Sequence, residues 1–127
     1  MPSAVEVAVD TYIRASTEPD AGRRMQLLES CFAADGRMVT RAREIRGRAA
    51  LSEMIGRFLA DPQVLRIRLS SAIDAAGTTF RYYAVADMRD GKAAEVFDAG
   101  EVDAEGRIRL ILTFAGPLAD ASDGTNG

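Results

Sequence analysis

The chain has 127 residues, of which 47% are hydrophobic and 28% are charged, with a formal charge of −3, one cysteine and no histidine. This length and composition are typical of one globular domain that needs neither a disulfide nor a metal to hold its core together. The absence of histidine excludes catalysis by Ser-His-Asp or Cys-His systems, and a single thiol excludes a Cys/His zinc site and an internal disulfide.

The same composition limits cofactors, partners and location. The composition still allows an all-carboxylate site for Mg²⁺ or Ca²⁺, but we expect no metal and no other cofactor. The acidic balance argues against nucleic acid as a partner. Residues 1–16 carry Glu6 and Asp10 without a basic leader, and no apolar run reaches the roughly 18 residues of a membrane span. We therefore expect a cytoplasmic protein that does not bind a membrane.

Two amphipathic helices are predicted at the start of the chain. Ser3 can cap a helix over residues 4–16, because apolar side chains recur there at every third or fourth position. Asp20 begins a second helix with the same spacing, and the Asp-Gly pair at residues 35–36 ends it. Cys31 falls on the buried face of this helix, which favours a packed and unreactive thiol.

A short extended pair at residues 37–48 separates the second helix from a third. Met38 and Val39 belong to one strand and Ile45 to the other, and Gly47 then opens the third helix. The apolar stripe of that helix contains Leu51, Met54, Ile55, Phe58 and Leu59.

The rest of the chain predicts a four-stranded antiparallel meander. The segments rich in β-formers span residues 64–73, 79–88, 93–103 and 107–115, with glycine-containing turns between them. Helices precede strands, so the fold class is α+β, with the helices on one face of a curved sheet. We assign residues 1–117 to one domain and residues 118–127 to a flexible C-terminal tail.

Asp98 interrupts an apolar row in the third of these strands. Alternation places it on the same face as Ala94, Val96 and Val102. A carboxyl group on an apolar face needs a partner or has a raised pKa. Asp98 is thus either an acid in a pocket, or a structural carboxylate in an ion pair or at a strand edge in water. The candidate partners are Tyr12, Arg66, Arg68, Arg81 and Tyr83.

The last strand is apolar on both faces, which leaves its orientation open. Its alternating rows are Ile108, Leu110, Leu112 and Phe114 on one side and Ile111, Thr113 and Ala115 on the other. If Thr113 points into the fold, the first row points out, and a homodimer through Leu110, Leu112 and Phe114 would cover it. If a bulge inverts the register, the same row is core and no dimer is implied.

Four short segments resemble the nuclear transport factor 2-like superfamily. They are YIRA at residues 12–15, LLESCFAADG at 27–36, IRGRAAL at 45–51 and GRI at 106–108. The resemblance covers about residues 4–116 and is strongest to the SnoaL-like and ketosteroid-isomerase-like branches. It implies a cone-shaped mixed sheet and three N-terminal helices around an apolar pocket, and it also implies a homodimer. Members of these branches include isomerases, cyclases, epoxide hydrolases and dehydratases.

Some catalytic positions of the superfamily have a matching residue in this sequence, and others do not. Tyr12 matches a tyrosine donor of the steroid isomerases and Asp98 matches their protonated aspartate, which is also a worked example of a neutral carboxylic acid in an apolar site. The catalytic base of those enzymes corresponds here to Thr40, and the acid of SnoaL-type cyclases corresponds to Thr113. A threonine hydroxyl cannot take a proton from carbon near neutral pH as a carboxylate can.

These positions predict an internal pocket with Asp98 and Tyr12 as the candidate catalytic pair. The expected ligand-binding residues are Val39, Thr40, Met54, Phe58, Tyr83, Val85, Ile111 and Thr113. Because the predicted wall is apolar with few polar groups, the expected ligand is a small, largely apolar molecule with a carbonyl, enol or hydroxyl group.

The sequence is compatible with three functions. A binding module without a reaction of its own is favoured, because threonine replaces both catalytic carboxylates. The alternative is an isomerase, cyclase or dehydratase that uses Asp98 and Tyr12 without metal or histidine. A structural dimerisation domain would instead have a filled interior.

Overall fold

Helix α1 (Ala4–Ser16) begins with a capping box between Ser3 and Glu6. The Ser3 hydroxyl accepts a hydrogen bond from the Glu6 amide at 3.1 Å, and the Glu6 carboxylate accepts one from the Ser3 amide at 3.3 Å. The predicted helix over residues 4–16 is confirmed in the computed structural model of the chain, which describes residues 2–121. The buried face of α1 consists of Val5, Ala8, Val9, Tyr12 and Ala15.

Helix α2 (Ala21–Cys31) is shorter than predicted. Asp20 caps its first turn as expected, but the predicted end at residues 35–36 is wrong. Strand β1 (Phe32–Val39) follows the helix directly, and its first residue pairs with Ile108 in the sheet. Pairing with a distant strand therefore overrides the local turn signal of the Asp-Gly pair.

The short extended pair and the third helix are confirmed. Strand β1 pairs antiparallel with β2 (Glu44–Arg46), and α3 (Arg48–Ala60) follows. Gly47 connects the two with a φ angle of 88°, a left-handed conformation that a residue with a side chain rarely adopts.

Within residues 2–121 the sheet has seven strands and is curved and open. The remaining strands are β3 (Val64–Leu69), β4 (Asp74–Ala76), β5 (Thr79–Met88), β6 (Ala93–Val102) and β7 (Ile108–Ala115). Their order is β2-β1-β7-β6-β5-β3, with β4 also paired to β5, and among these pairs β1 with β7 is parallel. The predicted meander is thus present, although its first strand ends at Leu69 rather than at residue 73, and the short strand β4 lies in the segment predicted to connect it to the next strand. The predicted tail falls largely outside the described residues, which end at residue 121.

The three helices found in the described part of the chain pack on one face of this sheet and complete an α+β fold, as predicted. One apolar cluster joins the two layers and includes Val9 and Leu51 from the helices and Tyr82 and Ile111 from the strands. None of the helices within residues 2–121 combines the length and the apolar character that crossing a bilayer would require.

A bulge at the start of β7 sets the orientation of that strand. Val102 pairs with Ile108 and Glu101 pairs with Leu110, so Arg109 is the extra residue. Both Ile108 and Ile111 are fully buried, which means that the bulge brings Ile108 to the inner face. The predicted row that placed Ile108 with the outward residues is therefore wrong at this position. Beyond the bulge the outward row consists of Leu110, Leu112 and Phe114.

Candidate active site

A cavity of about 190 Å³ lies between helices α1 and α3 and the inner face of the sheet. Its wall is apolar apart from a few hydroxyl groups and one carboxyl group. Phe58, which is 40% exposed, marks its solvent side. The residues that line it are Tyr12, Ile13, Ser16, Met38, Thr40, Met54, Ile55, Phe58, Ile67, Ala84, Val85, Ala86, Val96, Asp98 and Thr113.

Asp98 lies at the centre of a polar row that crosses three strands. Strand pairing places Tyr82 of β5 opposite Asp98 of β6, and Asp98 opposite Thr113 of β7. The Tyr82 hydroxyl donates a hydrogen bond of 2.6 Å to Oδ2 of Asp98, and both side chains are buried. This short, buried contact fixes one edge of the carboxyl group.

The other edge of the carboxyl group has no partner among residues 2–121. Among the buried side-chain polar atoms within residues 2–121, Oδ1 of Asp98 and Oγ1 of Thr113 are the two without a hydrogen bond. Nearly all buried polar groups in folded proteins are satisfied, and leaving one unsatisfied costs about 1–3 kcal/mol. Because both residues line the cavity, a ligand group placed there could satisfy both atoms.

Burial favours the neutral forms of the ionisable groups at this end of the cavity. Desolvation raises the pKa of Asp98, and the hydrogen bond from the Tyr82 hydroxyl opposes this shift. Desolvation also raises the pKa of the Tyr12 and Tyr82 phenols, and the nearby Asp98 carboxyl raises them further. Both phenols therefore stay protonated near neutral pH and can act as hydrogen-bond donors.

The structure brings seven of the ten predicted site residues to this cavity. They are Tyr12, Thr40, Met54, Phe58, Val85, Asp98 and Thr113. The hydroxyl of Thr40 is already used, because it donates to the Arg43 carbonyl and accepts from the amides of Ala42 and Arg43, each at 3.2 Å. It holds the turn between β1 and β2.

The other three predicted ligand-binding residues lie elsewhere. Val39 is paired in register with Leu112, so it lies on the outer face of the sheet. Tyr83 also faces outward, where its ring packs at 5.2 Å from that of Phe97. Ile111 points inward but is fully buried in the core and does not reach the cavity.

Tyr82 is the main residue that sequence reasoning missed. Tyr83 was among the candidate partners of Asp98, and the true partner is its neighbour. The arginine candidates are engaged elsewhere, since Arg66 and Arg68 both bind Asp87, at 2.7 and 2.8 Å, and Arg81 binds Asp74. The alternation of β5 could have placed Tyr82 on the inner face, but the register with β6 is not readable from sequence.

The cavity offers little to a metal ion. No cluster of three or more aspartate, glutamate or cysteine side chains suited to a metal is found among the residues that the structure describes. The lining contributes one carboxylate, Asp98, whose second oxygen already accepts from Tyr82. The chemistry available here is hydrogen bonding and proton transfer by one carboxyl group.

Comparison of the backbone with solved structures identifies the fold. A candidate isomerase of the SnoaL-like family from Agrobacterium tumefaciens strain C58 is similar at 25% identity and a TM-score of 0.78, over 87% of this chain and 96% of that chain. The chain has the nuclear transport factor 2-like fold. The likeness to that structure further supports the SnoaL-like family.

Two other solved structures are similar to this chain at lower identity. A protein of unknown function with a cystatin-like fold from Methylobium petroleophilum PM1 is 18% identical, with a TM-score of 0.75 over 93% of this chain and 80% of that chain. A de novo designed protein with a curved β-sheet is 15% identical, with a TM-score of 0.73 over 92% of this chain and 89% of that chain. No family model and no curated protein matches the chain. Because a designed protein adopts the same fold, function has to be argued from the site.

Proposed function

We propose that this protein binds a small, largely apolar molecule that carries one hydroxyl or carbonyl group. The observation that carries the proposal is the pair of unsatisfied buried atoms, Oδ1 of Asp98 and Oγ1 of Thr113, in an otherwise apolar cavity. A ligand hydroxyl can donate to one of these atoms and accept from the other, while a ligand carbonyl can accept from the Thr113 hydroxyl and from neutral Asp98. The apolar wall supplies the remaining affinity.

Binding without turnover is the favoured form of this proposal. Proton transfer from carbon needs a base that is charged when the substrate arrives, but burial favours the neutral form of Asp98. Among the described lining residues there is no second carboxylate, lysine or arginine to share such a step. Thr40 and Thr113 cannot replace one, because a hydroxyl is a far weaker base.

An isomerase, cyclase or dehydratase that uses Asp98 and Tyr12 is the second candidate. It is favoured by the position of Tyr12 and Asp98 in the wall of the same cavity and by the likeness to a candidate isomerase. In such a reaction ionised Asp98 would take a proton and Tyr12 would donate a hydrogen bond to the oxygen that gains charge. Turnover of a carbonyl or epoxide compound that Asp98→Asn and Tyr12→Phe both abolish would establish this candidate.

Titration of the labelled protein with neutral alcohols and ketones, followed by amide NMR shifts, tests the binding proposal. We expect saturable shifts around the cavity, and at least about tenfold weaker binding by Asp98→Leu and Thr113→Val, because each substitution removes the polar group that would contact the ligand. Asp10→Asn, which changes an exposed carboxylate on α1, is the matched control. The proposal fails if the unmodified protein binds none of the compounds, or if both cavity variants bind as tightly as the control.

We also propose that the outer face of the sheet forms a homodimer through Leu110, Leu112 and Phe114. Supporting this, the three side chains point away from the core, and Phe114 is 42% exposed. Sedimentation should give a dimer that Leu112→Glu dissociates, because a buried charge would lie in the interface. Val7→Glu, at an exposed position of α1, should stay dimeric. A monomer at all concentrations would contradict this proposal.

We further propose a cytoplasmic location for the protein.

A further inference from the structure

The cavity exists because strand β5 changes from large to small inward side chains along its length. Phe80 and Tyr82 fill one end of the inner face and belong to the core. Ala84 and Ala86 follow on the same face, and both are buried and line the cavity. Ala84 pairs with Val96 of β6, so the neighbouring strand adds only a medium side chain at this level. Two alanines therefore leave the space that a larger β-former would occupy.

The volume of this space limits what it can hold. An apolar cavity of about 150 Å³ binds benzene, so the 190 Å³ found here fits one six-membered ring with a few substituents, about eight to twelve non-hydrogen atoms. Four fused rings exceed it and would leave most of their apolar surface in water. This small volume thus favours one-ring compounds over steroid-sized ones.

The charges of the lining limit the ligand further. No arginine or lysine is found among the described residues that line the cavity, so an anionic group would enter without a cationic partner. It would also come close to Asp98, whose Oδ1 is the free acceptor. Burying an unpaired charge is far more costly than burying a hydroxyl group.

We infer that the site takes neutral one-ring compounds with a single hydroxyl or carbonyl group, and that Ala84 and Ala86 set this size limit. The inference rests on the proposed function and narrows it to a class of ligand. It assigns specificity to two residues that make no polar contact.

Calorimetric titration with three probes tests the inference. The probes are thymol, which is a neutral one-ring phenol, 4-isopropylbenzoate, which is an anion of similar size, and a four-ring steroid ketone. We expect saturable binding of thymol and at least about tenfold weaker binding of the other two. Ala84→Leu adds three carbons to the cavity wall and should weaken the binding of thymol at least about tenfold. Ala50→Leu makes the same change at an exposed position of α3 and should bind as the unmodified protein does.

The outcomes separate this inference from the proposed function. If neither these probes nor the alcohols and ketones above bind the unmodified protein, both are overturned. If the steroid or the anion binds as tightly as thymol, or Ala84→Leu keeps full affinity, the size and charge limits are wrong while the binding function stands. Where Ala84→Leu does not fold, Ala84→Val and Ala86→Val take its place, and unchanged thymol affinity in both overturns the role of the two alanines.

Discussion

Tyr82 donates a hydrogen bond of 2.6 Å to Oδ2 of Asp98, and this contact leaves the other carboxyl oxygen for a different partner. The two residues face each other across β5 and β6, so the sheet itself fixes their geometry. An aspartate held at one edge keeps its orientation when a ligand is absent. If the proposed function is right, the site is thus arranged before a ligand binds, which lowers the entropic cost of association.

Tyr82→Phe should destabilise the fold by about 1–3 kcal/mol, because Oδ2 of Asp98 then loses the donor that it has within the described residues. It should also raise the pKa of Asp98 further, since the hydrogen bond from Tyr82 lowers it. Urea unfolding and carbon NMR of the Asp98 carboxyl group measure the two effects. Tyr83→Phe removes a hydroxyl from the adjacent, half-exposed tyrosine and should stay within about 0.5 kcal/mol of the unmodified protein. Equal effects of the two variants would contradict the prediction.

Asp98→Asn should remove one part of the pH dependence of stability. Burial raises the folded-state pKa of Asp98 above the unfolded value of about 3.9, so the folded state holds the proton more tightly. Its contribution to stability is complete below that unfolded value and is lost as the pH rises toward the folded pKa. The unmodified protein should therefore lose stability relative to Asp98→Asn as the pH rises above about 4 and through the folded-state pKa, by about 1.4 kcal/mol for each unit of the shift. Parallel unfolding curves across this range would rule out the raised pKa.

Thr113→Val and Thr40→Val should change stability in opposite directions. At residue 113 the substitution replaces an unsatisfied buried hydroxyl with a methyl group, and stability should rise by up to about 1 kcal/mol while ligand binding weakens. At residue 40 it removes three hydrogen bonds that hold a turn, and stability should fall by about 1–2 kcal/mol. Thermal and urea unfolding measure both. A loss of stability in Thr113→Val would mean that its hydroxyl already has a partner.

Gly100→Ala should destabilise the fold by more than about 2 kcal/mol. A side chain at this position would collide with the backbone carbonyl of Leu110 and lie 2.7 Å from the Phe80 ring, and backbone cannot move aside cheaply. Gly22→Ala is the matched control in the exposed first turn of α2, where the same methyl group has room and should stabilise by a few tenths of a kcal/mol. Circular dichroism of thermal unfolding distinguishes the two, and an unchanged midpoint for Gly100→Ala would contradict the strand packing.

The fold was predictable from sequence to a larger extent than the site. Helical spacing and strand alternation carry the local structure, and the segments that resemble the superfamily are scaffold features. The contacts of Asp98 depend on strand register, since Tyr82 and Asp98 are 16 residues apart and a slip of one residue would bring Tyr83 to the same place. The bulge at Arg109 is a similar case, because nothing in its sequence distinguishes it from regular alternation.

The parallel pairing of β1 with β7 has a consequence for how the chain reaches its final state. Arg41, just after β1, donates a hydrogen bond of 2.7 Å to the carbonyl of Ala115, and the two residues are 74 positions apart. A loop of that length must close before these strands meet, and such distant pairing slows folding toward milliseconds or seconds. Thr113 arrives with the last strand. During synthesis on the ribosome, the cavity therefore takes shape only after β7 has left the exit tunnel.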